Sequence, residues 1–312
     1  MHSWEAIEKT LNFIEENLTG EIQTDTLADL ACLSPFYYQR LFKRLVKKPV
    51  QEYIKLRRLA KAADILDNPE CRIIDAAMEC GFSSHAGFTR AFKEVYHITP
   101  EDYRKSSVML NTFNKPEISM GYVLIDEGFP LITGNIILEI YRRTLTEPEI
   151  YLGYEGAVNI SEQIPAGEST GIDVPGQLWQ QFHDKKDDLA GLFQDNTELG
   201  MCYGADPGSG TFKYFAGGLA IPSDISTYTA DGLTVQSLEA GEYIVCRVEA
   251  ESFKELVTNA LDQASRYLFS TWLPKHALTT RPFSAEKYFT ADKDINSLEI
   301  WASPIDTIEK SS

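Results

Sequence analysis

The apolar positions of the first hundred residues predict a series of short helices. Residues 4–18 form one amphipathic helix, because their apolar side chains step by three or four: Trp4, Ile7, Leu11, Ile14 and Leu18. Start and stop signals predict further helices over residues 24–31, 35–46 and 50–67. Ser34-Pro35 supplies an N-cap and a first-turn proline, and Asn68-Pro69 ends the longest helix.

Two parts of this helical region repeat each other at an offset of 49 or 50 residues. The motif Ala28-x-x-x-Cys32-Leu33-Ser34 corresponds to Ala77-x-x-x-Gly81-Phe82-Ser83, and Arg40-Leu41-Phe42-Lys43 corresponds to Arg90-Ala91-Phe92-Lys93. Each copy predicts a short helix, a tight turn and a second helix, which is the helix-turn-helix arrangement. A plain helical bundle with the same apolar spacing is the alternative, and the polar and aromatic helix tips argue against it.

In a helix-turn-helix, side chains near the N-terminal end of the second helix reach base edges in the major groove. Phe42 and Phe92 are expected in the core of their copies. The residues left facing outward are the candidate DNA contacts: Phe36, Tyr37, Gln39, Arg40 and Lys43 in the first copy, and His85, Ala86, Thr89, Arg90 and Lys93 in the second. Arginine is the best candidate for a bidentate guanine contact, although Arg90 could instead hold a phosphate.

The remainder of the chain predicts a different kind of domain. Residues 107–134 have no sustained period and predict a linker. Branched and aromatic residues between Gly, Pro and Asp breaks then predict strands over 136–144, 150–160, 212–221, 233–238, 243–249, 286–289 and 297–301. Helices are predicted over 175–186 and 251–271. We therefore expect an all-α domain over 1–106 and an α+β domain over 135–312.

Charge is distributed unevenly along the 312 residues. The net charge is −17, yet residues 1–106 carry only −1, so the rest of the chain is strongly acidic. Within the first part, the stretch between Gln39 and Lys61 holds nine basic residues and one acid, Glu52. This basic strip comprises Arg40, Lys43, Arg44, Lys47, Lys48, Lys55, Arg57, Arg58 and Lys61. It is a candidate footprint for a polyanion, with a solvated helix face as the alternative.

Several classes of protein are disfavoured by the composition. No apolar run is long enough to span a bilayer, and the first residues lack the basic and apolar regions of a secretory signal. The five cysteines are scattered and form no CxxC pair. We therefore expect a cytoplasmic protein with reduced thiols and no membrane association.

Residues 5–105 resemble the DNA-binding domain of the AraC/XylS family of transcription regulators, through the runs 27–66 and 73–105. The resemblance implies two recognition helices in successive major-groove segments of a double-stranded operator, held roughly 34 Å apart by a linker helix over residues 50–66. It also implies RNA polymerase as a partner. Cys32, Lys48 and His97 stand where the family commonly has glycine, and a positive φ there costs about 1–2 kcal/mol.

The acidic part contains no convincing catalytic or metal motif. Residues 167–171 spell G-x-S-x-G, but Pro165 precedes them and no helix is predicted directly after them, so a chance match is favoured. His183 and His276 lie far apart and form no zinc motif. Aromatic residues among many carboxylates instead suit an organic cation, although many of them belong to an ordinary core.

Residues 135–305 resemble the GyrI-like effector-binding domain, through the pieces 177–189, 201–221, 238–250 and 297–305. The resemblance implies two halves, each a β-sheet with a helix, that enclose a cleft. It places Glu299 against a cationic ligand, and we expect this carboxylate to be protonated or partnered. The candidate aromatic walls are Trp179, Tyr214, Tyr228 and Trp301.

These observations predict a transcription regulator that binds DNA and senses a small, lipophilic and cationic effector. No enzymatic activity, cofactor or metal is expected. The alternative keeps the DNA-binding domain but makes the second domain a hydrolase, with Glu299 as its base, or a module that docks a protein. The ligand, the operator and the sign of regulation are not encoded in any motif.

Overall fold

A computed structural model describes residues 3–106, 108–163, 168–221, 232–289 and 296–305. The chain divides into two compact units. The helical unit contains Met1–Val123 and Glu162–Asp173, and the sheet unit contains Leu124–Ser161 and Val174–Ser312. The predicted combination of an all-α region and an α+β region is confirmed.

The helical unit consists of two helix-turn-helix motifs joined by one long helix. Its helices are α1 (Ser3–Glu16), α2 (Thr24–Leu30), α3 (Pro35–Val46), α4 (Val50–Leu66), α5 (Ile73–Glu79), α6 (His85–Tyr96) and α7 (Pro100–Lys105). Helices α2 and α3 form the first motif, α5 and α6 form the second, and α4 is the linker helix. Phe42, Phe88 and Phe92 lie in one continuous core, as the repeat predicts.

The two motifs share their turn geometry. Ser34 and Ser84 cap α3 and α6, because their hydroxyl oxygens accept hydrogen bonds from backbone amides three residues later. The turns within the motifs have positive φ at Cys32 and Gly81, which are 49 residues apart. Glycine suits this turn because a left-handed backbone disfavours residues that carry a Cβ atom.

Each recognition helix ends with another left-handed residue. These residues are Lys47, with φ of 65°, and His97, with φ of 63°. The expectation for Cys32 and His97 is confirmed, whereas the expectation for Lys48 was wrong by one position. The repeat indicates Lys47 as the left-handed position, since Lys47 and His97 are separated by the same 50 residues that separate Arg40 from Arg90.

The segment after α7 also packs within the helical unit. Strand β1 (Leu110–Asn111) pairs in antiparallel fashion with β5 (Gly171–Ile172), and a 3-10 turn spans Ser119–Tyr122. Phe113 is buried against the helical core, where its ring meets Tyr53 of α4. Part of the sequence predicted as a linker therefore contributes to this core.

The sheet unit is built around an antiparallel sheet. Its strands are β2 (Leu131–Thr133), β3 (Ile136–Leu145), β4 (Glu149–Asn159), β6 (Phe193–Asp206), β7 (Thr211–Ala220), β8 (Thr234–Leu238), β9 (Gly241–Ala250), β10 (Ser284–Phe289) and β11 (Asn296–Ala302). Their order across the described part of the sheet is β2-β3-β9-β11-β10-β6-β7-β4-β8. Strand β6 was absent from the sequence prediction.

This strand order divides the sheet into two similar halves. One half runs β4, helix α9 (Val174–Lys186), β6 and β7, and the other runs β9, a helical stretch over 253–275, β10 and β11. In each half the third strand lies between the first two, and β6 pairs with β10 where the halves meet. The arrangement agrees with the paired halves that the GyrI-like resemblance implies. A short helix, α8 (Ile160–Gln163), follows β4.

The helical stretch over 253–275 alternates between two helix types. Its α-helical parts are α10 (Phe253–Glu255), α11 (Leu261–Tyr267) and α12 (Leu273–Lys275), and π-helical turns Leu256–Ala260 and Leu268–Trp272 join them. Successive side chains of a strand point to opposite faces of a sheet. On β7, Tyr214 packs with Leu178 of α9, whereas Phe215 packs with Trp301. We call these the helix face and the Trp301 face.

Candidate DNA interface and ligand site

The outer side of α3 is exposed at every predicted DNA contact. Phe36 is 78% exposed and Tyr37 is 48% exposed, an unusual placement for large aromatic side chains. Gln39, Arg40 and Lys43 are exposed on the same helix. Tyr38, Phe42 and Val46 form its buried side. The helix therefore presents aromatic and basic groups together at the end that a recognition helix uses.

Helix α6 presents the second predicted set. His85, Ala86, Arg90 and Lys93 are exposed, whereas Thr89 is half-buried. The hydroxyl oxygen of Thr89 is buried and makes no hydrogen bond to the described residues. The structure thus brings the five predicted residues of each copy onto one helix, with Thr89 facing inward more than the others.

Part of the basic strip is used inside the protein. Arg57 of α4 donates through Nε and Nη2 to the Glu15 carboxylate over 2.9–3.1 Å, and through Nη1 to the Phe113 carbonyl oxygen at 2.5 Å. Arg58 donates to the carbonyl oxygens of Leu18, Gly20 and Gly81. These two guanidinium groups hold the helical unit together, so the basic strip is not one continuous polyanion footprint.

Glu299, the carboxylate predicted for the ligand site, is buried and hydrogen-bonded. It is 5% exposed and lies on β11, directly opposite Lys287 of β10. Its carboxylate accepts hydrogen bonds from the Tyr141 hydroxyl at 2.5 Å, the Trp301 indole nitrogen at 2.9 Å and Arg143 Nη1 at 3.1 and 3.4 Å. Of the two expected states, the structure has the partnered carboxylate. Burial and the neighbouring carboxylate raise the pKa of Tyr141, which therefore remains a donor.

Two cations lie over the Trp301 ring. Lys287 Nζ is 4.6 Å from the ring centroid, and the guanidinium carbon of Arg143 is 5.6 Å from it. Both distances fall within the range of cation–π attraction. Lys287 Nζ also lies 2.7 Å from a carboxylate oxygen of Glu149. We call these five residues the Trp301 cluster: Trp301, Glu299, Arg143, Lys287 and Glu149.

Sequence reasoning found Glu299 and Trp301 but missed the other members of the Trp301 cluster. Glu299 and Trp301 are two residues apart on one strand, so alternation places them on the same face. Arg143 comes from β3, Lys287 from β10 and Glu149 from β4. Only the strand order and register bring these residues together, and no local sequence motif indicates that order or that register.

The structure separates the predicted aromatic walls onto opposite faces of the sheet. Trp301 lies on the Trp301 face, whereas Trp179 and Tyr214 lie on the helix face, where the Trp179 indole nitrogen donates to the Tyr214 hydroxyl at 3.0 Å. The Tyr214 hydroxyl donates in turn to Glu286. Trp179 and Tyr214 therefore do not line one site with Glu299. Tyr228 lies outside the described residues.

A second buried carboxylate lies on the helix face. Glu198 of β6 is 4% exposed, and its oxygens lie 2.9 Å from His183 Nε2 and 2.5 Å from Lys186 Nζ of α9. Burial by itself raises the pKa of a carboxyl group, but the hydrogen bonds and charges of His183 and Lys186 outweigh it and hold the pKa of Glu198 below its usual value. The contact ties α9 to the sheet.

Two family models match the chain. A model described as "Helix-turn-helix domain" matches residues 27–106, and one described as "Integron-associated effector binding protein" matches residues 160–303. The regulatory protein SoxS of Salmonella typhimurium is 34% identical over 104 residues, which are 33% of this chain and 97% of that protein. The chain belongs to the AraC/XylS family of transcription regulators. The second match identifies an effector-binding domain of the GyrI-like type.

Two other relatives match a similar or larger share of this chain but are themselves longer proteins. The uncharacterized HTH-type transcriptional regulator YbfP of Bacillus subtilis is 40% identical over 33% of this chain and 35% of its own length. The transcriptional regulator Rob of Salmonella typhimurium is 33% identical over 39% of this chain and 42% of its own length. The chain thus spans about a third to two fifths of these two relatives.

The remaining features considered from the sequence are the G-x-S-x-G run, a metal site and a membrane span. Ser169, in the G-x-S-x-G run, is followed by the short strand β5 rather than by a helix, and Gly167 lies outside the described residues. In the part of the chain that the structure describes, no group of three or more His, Cys, Asp or Glu side chains is placed to hold a metal ion. None of the helices over those same ranges combines the length and the apolar character needed to cross a membrane.

Proposed function

We propose that this protein is a sequence-specific DNA-binding transcription regulator. One observation carries the proposal: two helix-turn-helix motifs of the same geometry each expose the tip of their second helix. Phe36, Gln39 and Arg40 of α3 would contact or flank bases, as would His85 and Arg90 of α6. We keep 1–106 as the proposed DNA-binding domain and 135–312 as the proposed effector-binding domain, with 107–134 as the connecting segment, part of which packs on the helical core through Phe113.

We further infer that the effector-binding domain senses a small organic cation. The Trp301 cluster supports this chemistry, because it combines a buried carboxylate with an aromatic face that already attracts cations. A ligand changes operator affinity, or contact with RNA polymerase, only through different affinities for two states of the protein. The proposal places the protein in the cytoplasm, where the DNA lies.

A hydrolytic function for Glu299 receives no support from the geometry. A general base needs an oxygen within hydrogen-bond reach of the proton that it removes. Both Glu299 oxygens already accept hydrogen bonds from Tyr141, Trp301 or Arg143. We therefore propose binding rather than turnover. The G-x-S-x-G run does not favour a hydrolase either, because the strand β5 follows Ser169 where a nucleophile elbow needs a helix.

Selection from a pool of randomised duplexes tests the DNA-binding proposal. The full chain should enrich a defined sequence, and Arg40→Ala should weaken binding to that sequence by about 1–3 kcal/mol at equal salt. Arg44→Ala is the matched control, because Arg44 is exposed on the same helix but is not a proposed base contact. The control should weaken selected and random duplexes alike. Wild-type affinity of Arg40→Ala for the selected sequence would show that the recognition assignment is wrong.

A further inference from the structure

The charges of the Trp301 cluster are balanced within the protein. Glu299 faces Arg143, and Glu149 faces Lys287, so two carboxylates are matched by two cations. The Trp301 ring has both cations within cation–π distance. A cationic ligand that simply joined this cluster would add an unmatched charge to a largely buried place, which is costly. It can enter favourably only by replacing one of the internal cations.

The two internal cations differ in how firmly they are held. The Lys287 side chain is 7% exposed, and its ammonium lies 2.7 Å from Glu149 and 4.6 Å from the Trp301 centroid. The Arg143 side chain is 47% exposed, its bonds to Glu299 measure 3.1 and 3.4 Å, and it lies 5.6 Å from the same centroid. Releasing Arg143 into water therefore costs less than releasing Lys287.

The position of Arg143 also fits that of a displaceable group. It lies near the end of β3, and its side chain reaches past β9 to Glu299 on β11. The other two donors to Glu299 are more enclosed, since Trp301 is 1% exposed and Tyr141 is half-buried. Among the described partners of Glu299, Arg143 is thus the one that faces solvent, and a ligand approaching from solvent meets it first.

We propose that the Arg143 guanidinium occupies the ligand's place on Glu299 and on the Trp301 ring. A lipophilic monovalent cation displaces the guanidinium from both. Lys287 keeps its place on the ring and on Glu149. The exchange leaves the cluster neutral, so Arg143 sets a threshold that the ligand must overcome by covering more apolar surface than the guanidinium does. This inference rests on the proposed sensing of a cation and names the residue that tunes it.

Calorimetric titration of the full chain with tetraphenylphosphonium tests the inference. Arg143→Gln should bind the cation about fivefold more tightly than the wild type, because the competing cation is gone. Arg142→Gln is the matched control. Arg142 is the preceding residue of β3, is 40% exposed, and pairs with Glu127 and Glu242 instead. The variant Arg142→Gln removes the same charge from the same strand, so its affinity for tetraphenylphosphonium should stay within about twofold of the wild-type affinity.

Two further measurements separate displacement from a general effect. Triphenylphosphine oxide is a neutral probe of similar bulk, and its affinity should not respond to Arg143→Gln. Glu299→Gln should lose affinity for tetraphenylphosphonium whether or not Arg143 is present. If Arg143→Gln does not fold, as judged by circular dichroism, Arg143→Lys replaces it and should bind more tightly than the wild type, because the lysine side chain is shorter and its ammonium reaches Glu299 less closely than Arg143 Nη1 does.

The outcomes distinguish this inference from the proposed function. If the wild type binds tetraphenylphosphonium and Arg143→Gln binds it no more tightly than Arg142→Gln does, displacement is overturned while cation sensing survives. If neither the wild type nor any variant binds the probe, cation sensing itself is overturned, and the inference falls with it. A gain in Arg143→Gln that Glu299→Gln abolishes supports both.

Discussion

Replacing Arg57 with methionine should destabilise the helical unit more than the loss of an exposed ion pair would. The Arg57 and Glu15 side chains are only 20% and 21% exposed. Burial opposes the charge of Arg57, but its hydrogen bonds with Glu15 outweigh this and raise its pKa, so the guanidinium stays charged. In Arg57→Met, Glu15 keeps the Tyr53 hydroxyl as a donor at 2.7 Å but loses its countercharge.

The expected loss follows from the burial of the pair. Removing one partner of a buried ion pair costs about 3–5 kcal/mol, and the remaining exposure of about a fifth favours the lower end, about 3 kcal/mol. With a urea dependence of about 2 kcal/mol per molar, the midpoint should fall by about 1–2 M. The assay is urea unfolding of the full chain, followed by circular dichroism at the wavelength where helices dominate.

A second ion pair provides the control for this prediction. Arg72 contacts Asp75 through two bonds of 2.7 and 2.8 Å, but these side chains are 76% and 50% exposed. Arg72→Met should leave the midpoint unchanged, because water screens an exposed pair. The double variant Glu15→Gln with Arg57→Met should recover much of the lost stability, since no charge is left unmatched. Equal losses in Arg57→Met and Arg72→Met would refute the reasoning from burial.

Three further predictions concern pH and backbone strain. Burial and a neighbouring glutamate raise the pKa of Glu8 from 4.5 to about 8. Its contribution to stability is therefore full below pH 4.5 and is lost as the pH rises towards 8. Glu8→Gln should flatten the dependence of stability on pH between 4.5 and 8, as measured by urea unfolding. Glu198 has a lowered pKa, so its contribution is present above the ordinary glutamate range and is lost in acid; Glu198→Gln should show a weaker acid loss in thermal unfolding. Lys47→Gly and His97→Gly should each stabilise by about 0.5–1 kcal/mol, since their φ is positive, and Lys48→Gly should not; calorimetric melting compares them.

The sequence predicted the helical unit well because its signals are local. A helix exposes one stripe and buries another at a fixed spacing, so apolar positions alone identify its core residues. The repeat added the turn positions, since Cys32 corresponds to Gly81 and Lys47 to His97. The offset of 50 residues places the left-handed residue of the first motif at Lys47, so the prediction at Lys48 was one position too far along the chain.

Strand β6 was missed because its stability comes from its neighbours. Its residues, FQDNTELGMCYGAD, mix strand-forming side chains with Gly, Asn and Asp. It nevertheless pairs with β10 on one side and β7 on the other, with register shifts between Phe193 and Glu198 and again between Tyr203 and Asp206. Pairing on both sides overrides a weak local preference, and a single sequence does not show that pairing.

The proposed ligand site was only partly predictable for the same reason. Which face a strand residue occupies depends on the register of the whole sheet, and a shift of one residue moves it to the other face. The prediction therefore named Tyr214, although it is the neighbouring residue Phe215 that shares a face with Trp301. Arg143 and Lys287 gave no signal, because charged residues on strands are usually solvated.

The structure changes what the basic strip means for DNA binding. Counted along the sequence, the strip suggests one cationic surface, but its residues on α4 are used differently from those on α3. Arg58 binds the carbonyl oxygens of Gly20, in the segment between α1 and α2, and of Gly81, in the turn of the second motif, and thereby links the segment that leads into the first motif to the second motif. Lys55 lies 3.8 Å from Glu94 of α6. Arg57 and Arg58 of α4 therefore hold the helical unit together, whereas the exposed cations of α3 remain available for the proposed DNA contact.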